Sequence, residues 1–357
     1  MMTTNQITGH ETVAAVVSRA GGPIEGPDSL VDATIPAPGE PTGHDILVAV
    51  KAVSVNPVDV KVRASGNRGQ KDRVLGWDAA GTVVAVGDEV TRFQPGDEVY
   101  YAGSLDRPGS YARQQLVDER IVARKPTSLD HAAAAALPLT AITAWEALFD
   151  KLRLDQDSTG TILVLGAAGG VGSILIQLVK ALTGLRVIAT ASRPESRAWV
   201  EGLGADVVVD HRASDLDRQI LAAAPGGVDD VFTAQSKGRI PLFTKVVRPF
   251  GQIVAIDDER DLDVMALKDK AISWHWEFMF ARPRHGWDLI AQHRLLAGSP
   301  SSSTPDASAR RSRRLSPRWT RRACARPTGS SSRGARSARS SSPTPNSPAP
   351  TPLPADL

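Results

Sequence analysis

Apolar residues in the first third of the chain fall into short runs that predict β-strands. Residues 46–55 read ILVAVKAVSV and residues 81–87 read GTVVAVG, and both runs are rich in the β-branched side chains that strands favour. Turn-forming residues separate such runs, as at 36–39 and 94–97. Several short strands with this punctuation predict a small β-barrel or β-sandwich.

From about residue 128 the pattern alternates between helices and strands. Residues 131–137 are rich in alanine, which favours a helix. Residues 161–165 form a continuous apolar run, which indicates a strand buried on both faces, and residues 173–182 place apolar side chains on one helical face. Further strands are predicted at 187–190, 207–209, 230–232 and 253–256. This alternation predicts the α/β fold class with a parallel, doubly wound sheet.

The apolar pattern ends near residue 297, and the composition beyond it is that of a disordered segment. Residues 298–357 contain 15 Ser, 11 Arg and 10 Pro among 60 residues, and no Ile, Val, Phe, Tyr or Met. Such a segment buries too little apolar surface to offset the entropy lost on ordering. We therefore predict a β-rich domain at 1–130, an α/β domain at 131–297 and a disordered tail at 298–357.

The net charge of +3 originates in this tail. Residues 298–357 carry 11 Arg against two acidic residues, so they contribute +9 and the rest of the chain contributes −6. A mildly acidic body argues against a nucleic-acid partner.

Neither export nor membrane insertion is expected from the sequence. The first residues lack the charged and then apolar pattern of a secretory signal, and no apolar run approaches the roughly 20 residues that cross a bilayer. We therefore expect a cytoplasmic protein without a membrane partner. A single cysteine, Cys324, permits neither an internal disulfide nor a four-cysteine zinc site.

The strongest local motif is a glycine cluster, GAAGGVG at 166–172, between the predicted buried strand and the following helix. Glycines allow a tight turn and let a diphosphate approach the backbone, while the helix N-terminus supplies N–H groups and a positive dipole end. An ordinary turn is the alternative, but the strand–turn–helix context favours a dinucleotide site. The residues predicted to bind the cofactor here are Gly166, Ala168, Gly169, Gly170, Val171 and Gly172.

The end of the second predicted strand of this sheet selects between the two nicotinamide cofactors. NAD sites usually place an acidic residue there, to bind the ribose 2′-hydroxyl. Here Ser192 can donate to a 2′-phosphate, and Arg193 and Arg197 can neutralise it, because a guanidinium donates two parallel hydrogen bonds. We therefore predict NADPH. The alternative is that both arginines merely begin a solvated helix face.

Several motifs together resemble the medium-chain dehydrogenase/reductase superfamily. The pattern GxV, VG, V, F and GDxV along residues 81–99 resembles its barrel signature, and AGGVG at 168–172 resembles its quinone oxidoreductase (zeta-crystallin-like) branch. Three other motifs resemble the zinc-type alcohol dehydrogenase-like subgroup: SVNPVD at 54–59, LGWD at 75–78 and HWEFMF at 275–280. The resemblance covers residues 12–297. It implies a GroES-like β-barrel catalytic domain, a Rossmann domain with a doubly wound parallel sheet, and a homodimer.

The same resemblance argues against a metal. Zinc-using relatives bind catalytic zinc through Cys, His and Cys, and these positions correspond here to Asn56, Trp77 and approximately Leu139. None of these side chains is suited to holding zinc, so we predict no metal. Without that Lewis acid, the expected reaction is hydride delivery to a small molecule that is already electrophilic, a quinone or an enone. Reduction of enoyl thioesters or alkenals, and a catalytically inactive cofactor-binding protein, are the alternatives.

Three further residues are candidates for the site. Asn56 is predicted to orient the substrate or the nicotinamide amide, and capping the turn before Pro57 is an equal alternative. By resemblance, Thr143 contacts the nicotinamide ribose, although a hydrogen bond along its own helix would also explain it. His211 matches the position where relatives place an aromatic residue near the adenine. The alternative is that it is an exposed loop histidine.

Other polar and aromatic residues are predicted to be structural. Asp59 and Asp78 are expected to hold backbone groups or Arg63, and neither is proposed as a general base. Trp274, Trp276 and Phe278 alternate as in a strand and are expected to pack in the core.

The tail also conflicts with the resemblance, because relatives return to the catalytic domain after the Rossmann sheet. Arg, Ser, Pro and Ala all have GC-rich codons, so we hypothesise that residues 298–357 are translated out of frame. A basic interaction tail is the alternative. Translation of the gene in its other frames tests this hypothesis.

Overall fold

The structure is a computed structural model that describes residues 11–19, 26, 29–66 and 72–298. The predicted disordered tail therefore lies outside the described residues, apart from Gly298. The strands of the first half are β1 (Thr12–Arg19), β2 (Leu30–Pro36), β3 (Asp45–Ser54), β4 (Asp72–Val74), β5 (Asp78–Val86), β6 (Glu98–Ala102), β7 (Gln114–Asp118) and β8 (Val122–Arg124).

These strands form two antiparallel sheets, with strand orders β2-β1-β4 and β7-β3-β5-β6-β8. The alternation along β3 explains the second sheet, because Ile46, Val48 and Val50 all point to one side and are buried there. They pack against Val83 and Tyr101 of neighbouring strands. The strands predicted at 46–55 and 81–87 are thus confirmed, with slightly shifted ends.

The second half forms a parallel sheet with strands β9 (Thr161–Val164), β10 (Arg186–Thr190), β11 (Val207–Val209), β12 (Val228–Thr233), β13 (Val247–Ala255) and β14 (Ser273–Trp276). Their order is β11-β10-β9-β12-β13-β14, and every pairing is parallel. The order reverses between β9 and β12, and ligands of such sheets bind at the carboxyl ends of the strands beside that reversal. The predicted doubly wound sheet is confirmed.

The helices are α1 (Pro57–Ala64), α2 (His131–Ala135), α3 (Pro138–Trp145), α4 (Gly170–Leu182), α5 (Pro194–Gly202), α6 (Leu216–Ala223), α7 (Ile240–Val246), α8 (Ala281–His285) and α9 (Ile290–Leu296). Shorter segments are a π-helix at Glu146–Lys151 and 3₁₀-helices at Glu119–Ile121 and Val264–Lys270. α4 begins at residue 170, earlier than the predicted 173, because its first turn is made by the glycine motif itself.

One helical stretch corrects an expectation from the sequence. Residues His131–Lys151 form a 21-residue stretch that is long and apolar enough to cross a membrane, so the expectation that no apolar run approaches that length was wrong. The most apolar 18 residues of this stretch are 72% buried inside the protein, as expected of a core helix. Ile142 and Leu148 are completely buried in the same apolar cluster as Val164 of β9.

The last described helix packs on the antiparallel sheet. The Tyr100 hydroxyl donates to the Leu296 carbonyl at 2.7 Å, and His293 Nδ1 lies 2.6 Å from the Val122 carbonyl oxygen. The ring of Phe93 meets His293 edge-on. α9 therefore packs against the first half of the molecule before the tail begins. The domain limits at residues 130 and 297 remain predictions.

Candidate functional site

The glycine motif forms a tight turn between β9 and α4. Gly166 has a φ of +74°, and its carbonyl accepts a hydrogen bond from the Gly169 N–H at 2.9 Å. A Cβ atom on Gly172 would lie 2.6 Å from the Gly166 carbonyl oxygen and 2.7 Å from Ala167 Cα. The turn is therefore closed by backbone packed on backbone, and only glycine fits at position 172.

This turn leaves the first N–H groups of α4 without partners inside the helix, since an α-helix cannot satisfy its own first turn. Gly169 is the N-cap residue, and the helix continues through Val171 for 13 residues in total. N–H groups at the positive end of the helix dipole fit a diphosphate. The structure brings all the predicted residues, Ala168 included, into this one turn.

The residues predicted to read the 2′-phosphate have different surroundings. Ser192 is partly buried after β10, and Arg193 is exposed immediately before α5. Arg197 donates instead to the carbonyls of Ala191, at 3.3 Å, and Val208, at 3.0 Å. Arg197 thus braces the ends of β10 and β11, a role that neither interpretation of the sequence contained. Contact of Arg193 and Arg197 with a 2′-phosphate stays a prediction.

His211 follows β11 and is partly buried. Burial lowers the pKa of its imidazole, and the charges of Arg212 and Arg239 act in the same direction, while Asp210 opposes them. The ring is therefore held mostly neutral near pH 7. A neutral, flat ring suits contact with an adenine, which stays a prediction for this residue.

At the other end of the site, Asn56 belongs to a buried polar network. Its backbone N–H donates to Asp59 Oδ2 at 2.7 Å, and its side-chain Nδ2 donates to Asp78 Oδ2 at 2.8 Å. The Leu139 N–H donates to the second oxygen of Asp78 at 2.7 Å. Both carboxyls thus hold backbone groups, as predicted, whereas Arg63 donates to the Ser29 carbonyl.

Burial dominates the electrostatics of this network. It raises the pKa of Asp78 to about 8, although the hydrogen bonds from Asn56 and Leu139 oppose the shift, and Asp59 adds repulsion. Burial also raises the pKa of Asp59. The Tyr111 hydroxyl lies beside Asp59, and its pKa is raised by burial and then by that carboxyl. Near pH 7 the Asp78 carboxyl is therefore mostly protonated.

Helix α3 connects this network to the glycine turn. Its second residue, Leu139, is bonded to Asp78, and the methyl group of Thr140 lies 3.0 Å from where a Cβ on Gly170 would be. Buried Thr143 donates to the Leu139 carbonyl at 2.8 Å, which is the helix hydrogen bond of the alternative interpretation. Its contact with a ribose stays a prediction. The two ends of the candidate site are thus neighbours across one helix.

The residues at the zinc-ligand positions do not fit zinc. Trp77 is completely buried and its Nε1 donates to the Ser104 carbonyl at 3.0 Å. The Asn56 amide directs its NH₂ group to Asp78, and Leu139 offers only a backbone N–H, which also donates to Asp78. Within the described part of the chain, we find no group of three His, Cys, Asp or Glu side chains able to hold a metal ion.

A second acidic cluster, which the sequence did not reveal, lies beside β14. Arg282 of α8 donates to Glu146 at 2.9 Å and to Asp150 at 2.6 Å, and the buried Glu277 carboxyl faces Glu146. An open cavity of about 620 Å³ adjoins it. In the sequence, the only indication of this cluster is a charged residue, Glu277, between the aromatic residues Trp276 and Phe278.

The packing predicted for the aromatics of this segment is correct for one residue only. Trp274 packs against Phe243, with 6.3 Å between ring centroids. Trp276 and Phe278 are 49% and 43% exposed, so their predicted core positions were wrong. Trp276 is the last residue of β14, the edge strand of the described sheet, and Phe278 follows that strand.

Comparison with known proteins agrees with this architecture. Residues 42–127 match the alcohol dehydrogenase GroES-like domain, and residues 170–274 match the zinc-binding dehydrogenase family. The predicted fold class, a GroES-like domain with a Rossmann-like parallel sheet, is therefore confirmed.

Two curated relatives are informative. A zinc-type alcohol dehydrogenase-like protein of Staphylococcus aureus is 45% identical over 265 residues, which cover 72% of this chain and 78% of that protein. The chloroplastic NADPH-dependent alkenal/one oxidoreductase of Arabidopsis thaliana is 38% identical over 59% of this chain and 54% of its own length.

Solved structures are similar to the same architecture. A protein from Rhizobium etli CFN 42, provisionally named a zinc-dependent alcohol dehydrogenase, is 49% identical with a TM-score of 0.76, covering 81% of this chain and 85% of that one. A quinone oxidoreductase of Pseudomonas syringae pv. tomato DC3000 is 26% identical with a TM-score of 0.69, covering 80% of this chain and 87% of that one.

Proposed function

We propose a function from the premise that this chain belongs to the medium-chain dehydrogenase/reductase superfamily, in its zinc-type alcohol dehydrogenase-like quinone oxidoreductase branch. The proposed reaction is the reduction of a quinone or an activated alkene with NADPH and without zinc. The observation that carries the proposal is the connection through α3. The carboxyl of Asp78 holds Leu139, and Thr140 adjoins Gly170, so a cofactor on the glycine turn extends toward Asn56.

Each part of the site has a task in this reaction. NADPH, when bound, supplies the hydride. The N-terminus of α4 holds the diphosphate, and Ser192 and Arg193 receive the 2′-phosphate. Asn56 orients the acceptor through its amide, and the buried side chain of Trp77 keeps water from the inner wall.

The chemistry of the donor set restricts the acceptor. A carbonyl that must be polarised by a Lewis acid is a poor substrate where Asn56, Trp77 and Leu139 replace the zinc ligands. Quinones and enones are electrophilic without such help. The similarity to an alkenal/one oxidoreductase supports an alkenal as the second candidate substrate.

The test is steady-state oxidation of NADPH by the purified full-length chain with quinone, enone, enal and enoyl-thioester panels, with and without a chelator. We expect turnover of a quinone or an enone that is unaffected by chelation. Alcohol-dependent reduction of NADP that chelation abolishes would overturn the proposal. Tight NADPH binding with no turnover of any panel would instead identify an inactive cofactor-binding protein.

The choice of cofactor gives a separate prediction. Arg193→Glu should weaken NADPH binding by about 10- to 100-fold, the effect of losing a charge-assisted hydrogen bond, while NADH binding changes little. Titration calorimetry with both cofactors measures this. The matched control is Arg218→Glu, which makes the same charge change at an exposed site on α6. Equal losses for NADPH and NADH, or no loss, would contradict the assignment of Arg193.

A further inference from the structure

Asp78 joins two elements that meet at the candidate site. It is completely buried at the start of β5, and its two carboxyl oxygens accept from different partners. One partner is the side chain of Asn56, which directly precedes α1, and the other is the backbone N–H of Leu139 in α3. The distances of 2.8 and 2.7 Å leave no room for a bridging water.

This contact determines which end of the Asn56 amide faces the site. Both oxygens of Asp78 accept hydrogen bonds, and the NH₂ group of Asn56 is the end of its amide that turns toward Asp78. The oxygen Oδ1 is then the end that points away from Asp78. The Leu139 N–H is fixed by its helix and occupies the second oxygen, which prevents the carboxyl from adopting another arrangement.

We propose that Asp78 is a positioning residue, which fixes the Asn56 amide with its oxygen presented to the reacting molecule and fixes α3 against the barrel. The catalytic consequence of this role rests on the proposed function. The hydrogen-bonded arrangement itself can be observed without turnover.

The neighbouring titratable groups define how pH acts on this arrangement. Asp59 of α1 and the Tyr111 hydroxyl face Asp78, and burial raises the pKa of Asp78 to about 8. Below that pH the protonated carboxyl has an O–H that must also find an acceptor, so it holds two N–H donors less firmly. The positioning is therefore expected to strengthen as pH rises through 8.

The decisive variant is Asp78→Asn. An asparagine at this position has one acceptor and one donor group, and because the Leu139 N–H cannot turn, the Asn56 amide must reverse. We expect kcat/KM to fall roughly 10- to 100-fold, NADPH Kd to stay within about twofold, and the rise of kcat near pH 8 to disappear.

Rescue and control variants separate positioning from folding. Asn56→Asp combined with Asp78→Asn restores an oxygen acceptor facing the site and should regain most of the lost kcat/KM. Asp230→Asn is the matched control, since Asp230 is also buried, with a pKa raised to about 7 by burial, but lies in the core of the parallel sheet. It should leave kcat and KM unchanged.

A direct readout uses the side-chain amide resonance of Asn56 in protein labelled with nitrogen-15 asparagine. In the wild type it should titrate with an apparent pKa near 8, and in Asp78→Asn the titration should vanish. A wild type that turns over no acceptor would defeat the proposed function, while this titration would still decide the positioning. An Asn56 resonance that is insensitive to Asp78→Asn, or unchanged kcat/KM in an active enzyme, would overturn the inference.

Discussion

Gly172→Val should lower the affinity for NADPH by more than about 100-fold and abolish activity with every acceptor. The new Cβ would lie 2.6 Å from the Gly166 carbonyl oxygen and 2.7 Å from Ala167 Cα, and both are backbone atoms that cannot rotate away. The first turn of α4 must then separate from β9. That movement removes the N–H groups from the place where the diphosphate would bind. Calorimetric titration with NADPH measures the loss.

The control is a glycine in the same domain whose replacement costs nothing. Gly202 ends α5, and a Cβ there meets no atom within 4 Å, so Gly202→Ala should bind NADPH as the wild type does. It should also be slightly more stable, because alanine restricts the unfolded chain. A Gly172→Val protein that folds and binds NADPH normally would show that the diphosphate lies elsewhere.

The elements of this fold were largely predictable because each depends on local pattern. The β-branched run of β3, the apolar run of β9 and the glycines of α4 all carry their structure in a few neighbouring residues. The parallel pairing of the second sheet followed from the alternation of strands and helices, since parallel strands need helical connections. What the sequence predicted well is therefore the glycine turn and the sheet around it.

The polar contacts were less predictable because their partners are far apart along the chain. Asp78 and Leu139 are 61 residues apart, and Arg282 and Glu146 are 136 apart. No local spacing indicates such a pair. Arg197 illustrates the same limit, since its guanidinium binds the carbonyls at two strand ends, contacts that its position in the motif did not indicate.

Arg282→Ala should strongly destabilise the fold. The guanidinium donates to Glu146 at 2.9 Å, to Asp150 at 2.6 Å and to Asp288 at 2.9 Å, and its side chain is only 15% exposed. Removing the cation leaves the buried Glu146 carboxylate uncompensated, whereas the Asp150 and Asp288 side chains are 30% and 31% exposed, so the free energy of unfolding should fall by about 2–3 kcal/mol. Urea unfolding measures the loss at pH 8.

A matched control lies two residues along the same helix. Arg284 is 41% exposed, and its Nε is 3.7 Å from Asp106, so it makes only a loose surface ion pair. Arg284→Ala should cost less than about 1 kcal/mol. Equal unfolding free energies for the two variants would show that the cluster around Arg282 does not hold the fold.

The loss caused by Arg282→Ala should depend on pH, with a sign set by the two buried glutamates. Burial raises the pKa of Glu146 to about 7 and that of Glu277 well above its usual range, and Arg282 opposes the shift at Glu146. Without Arg282, the pKa of Glu146 rises further. Between the ordinary carboxyl pKa and these raised values the native state binds more protons than the unfolded state, so its stability falls as pH increases. The free energy of unfolding of the variant should therefore be closer to that of the wild type at pH 6 than at pH 8. Glu277→Gln in the Arg282→Ala background should recover stability at pH 8, because it removes one of the two buried carboxyls that bind protons in the native state.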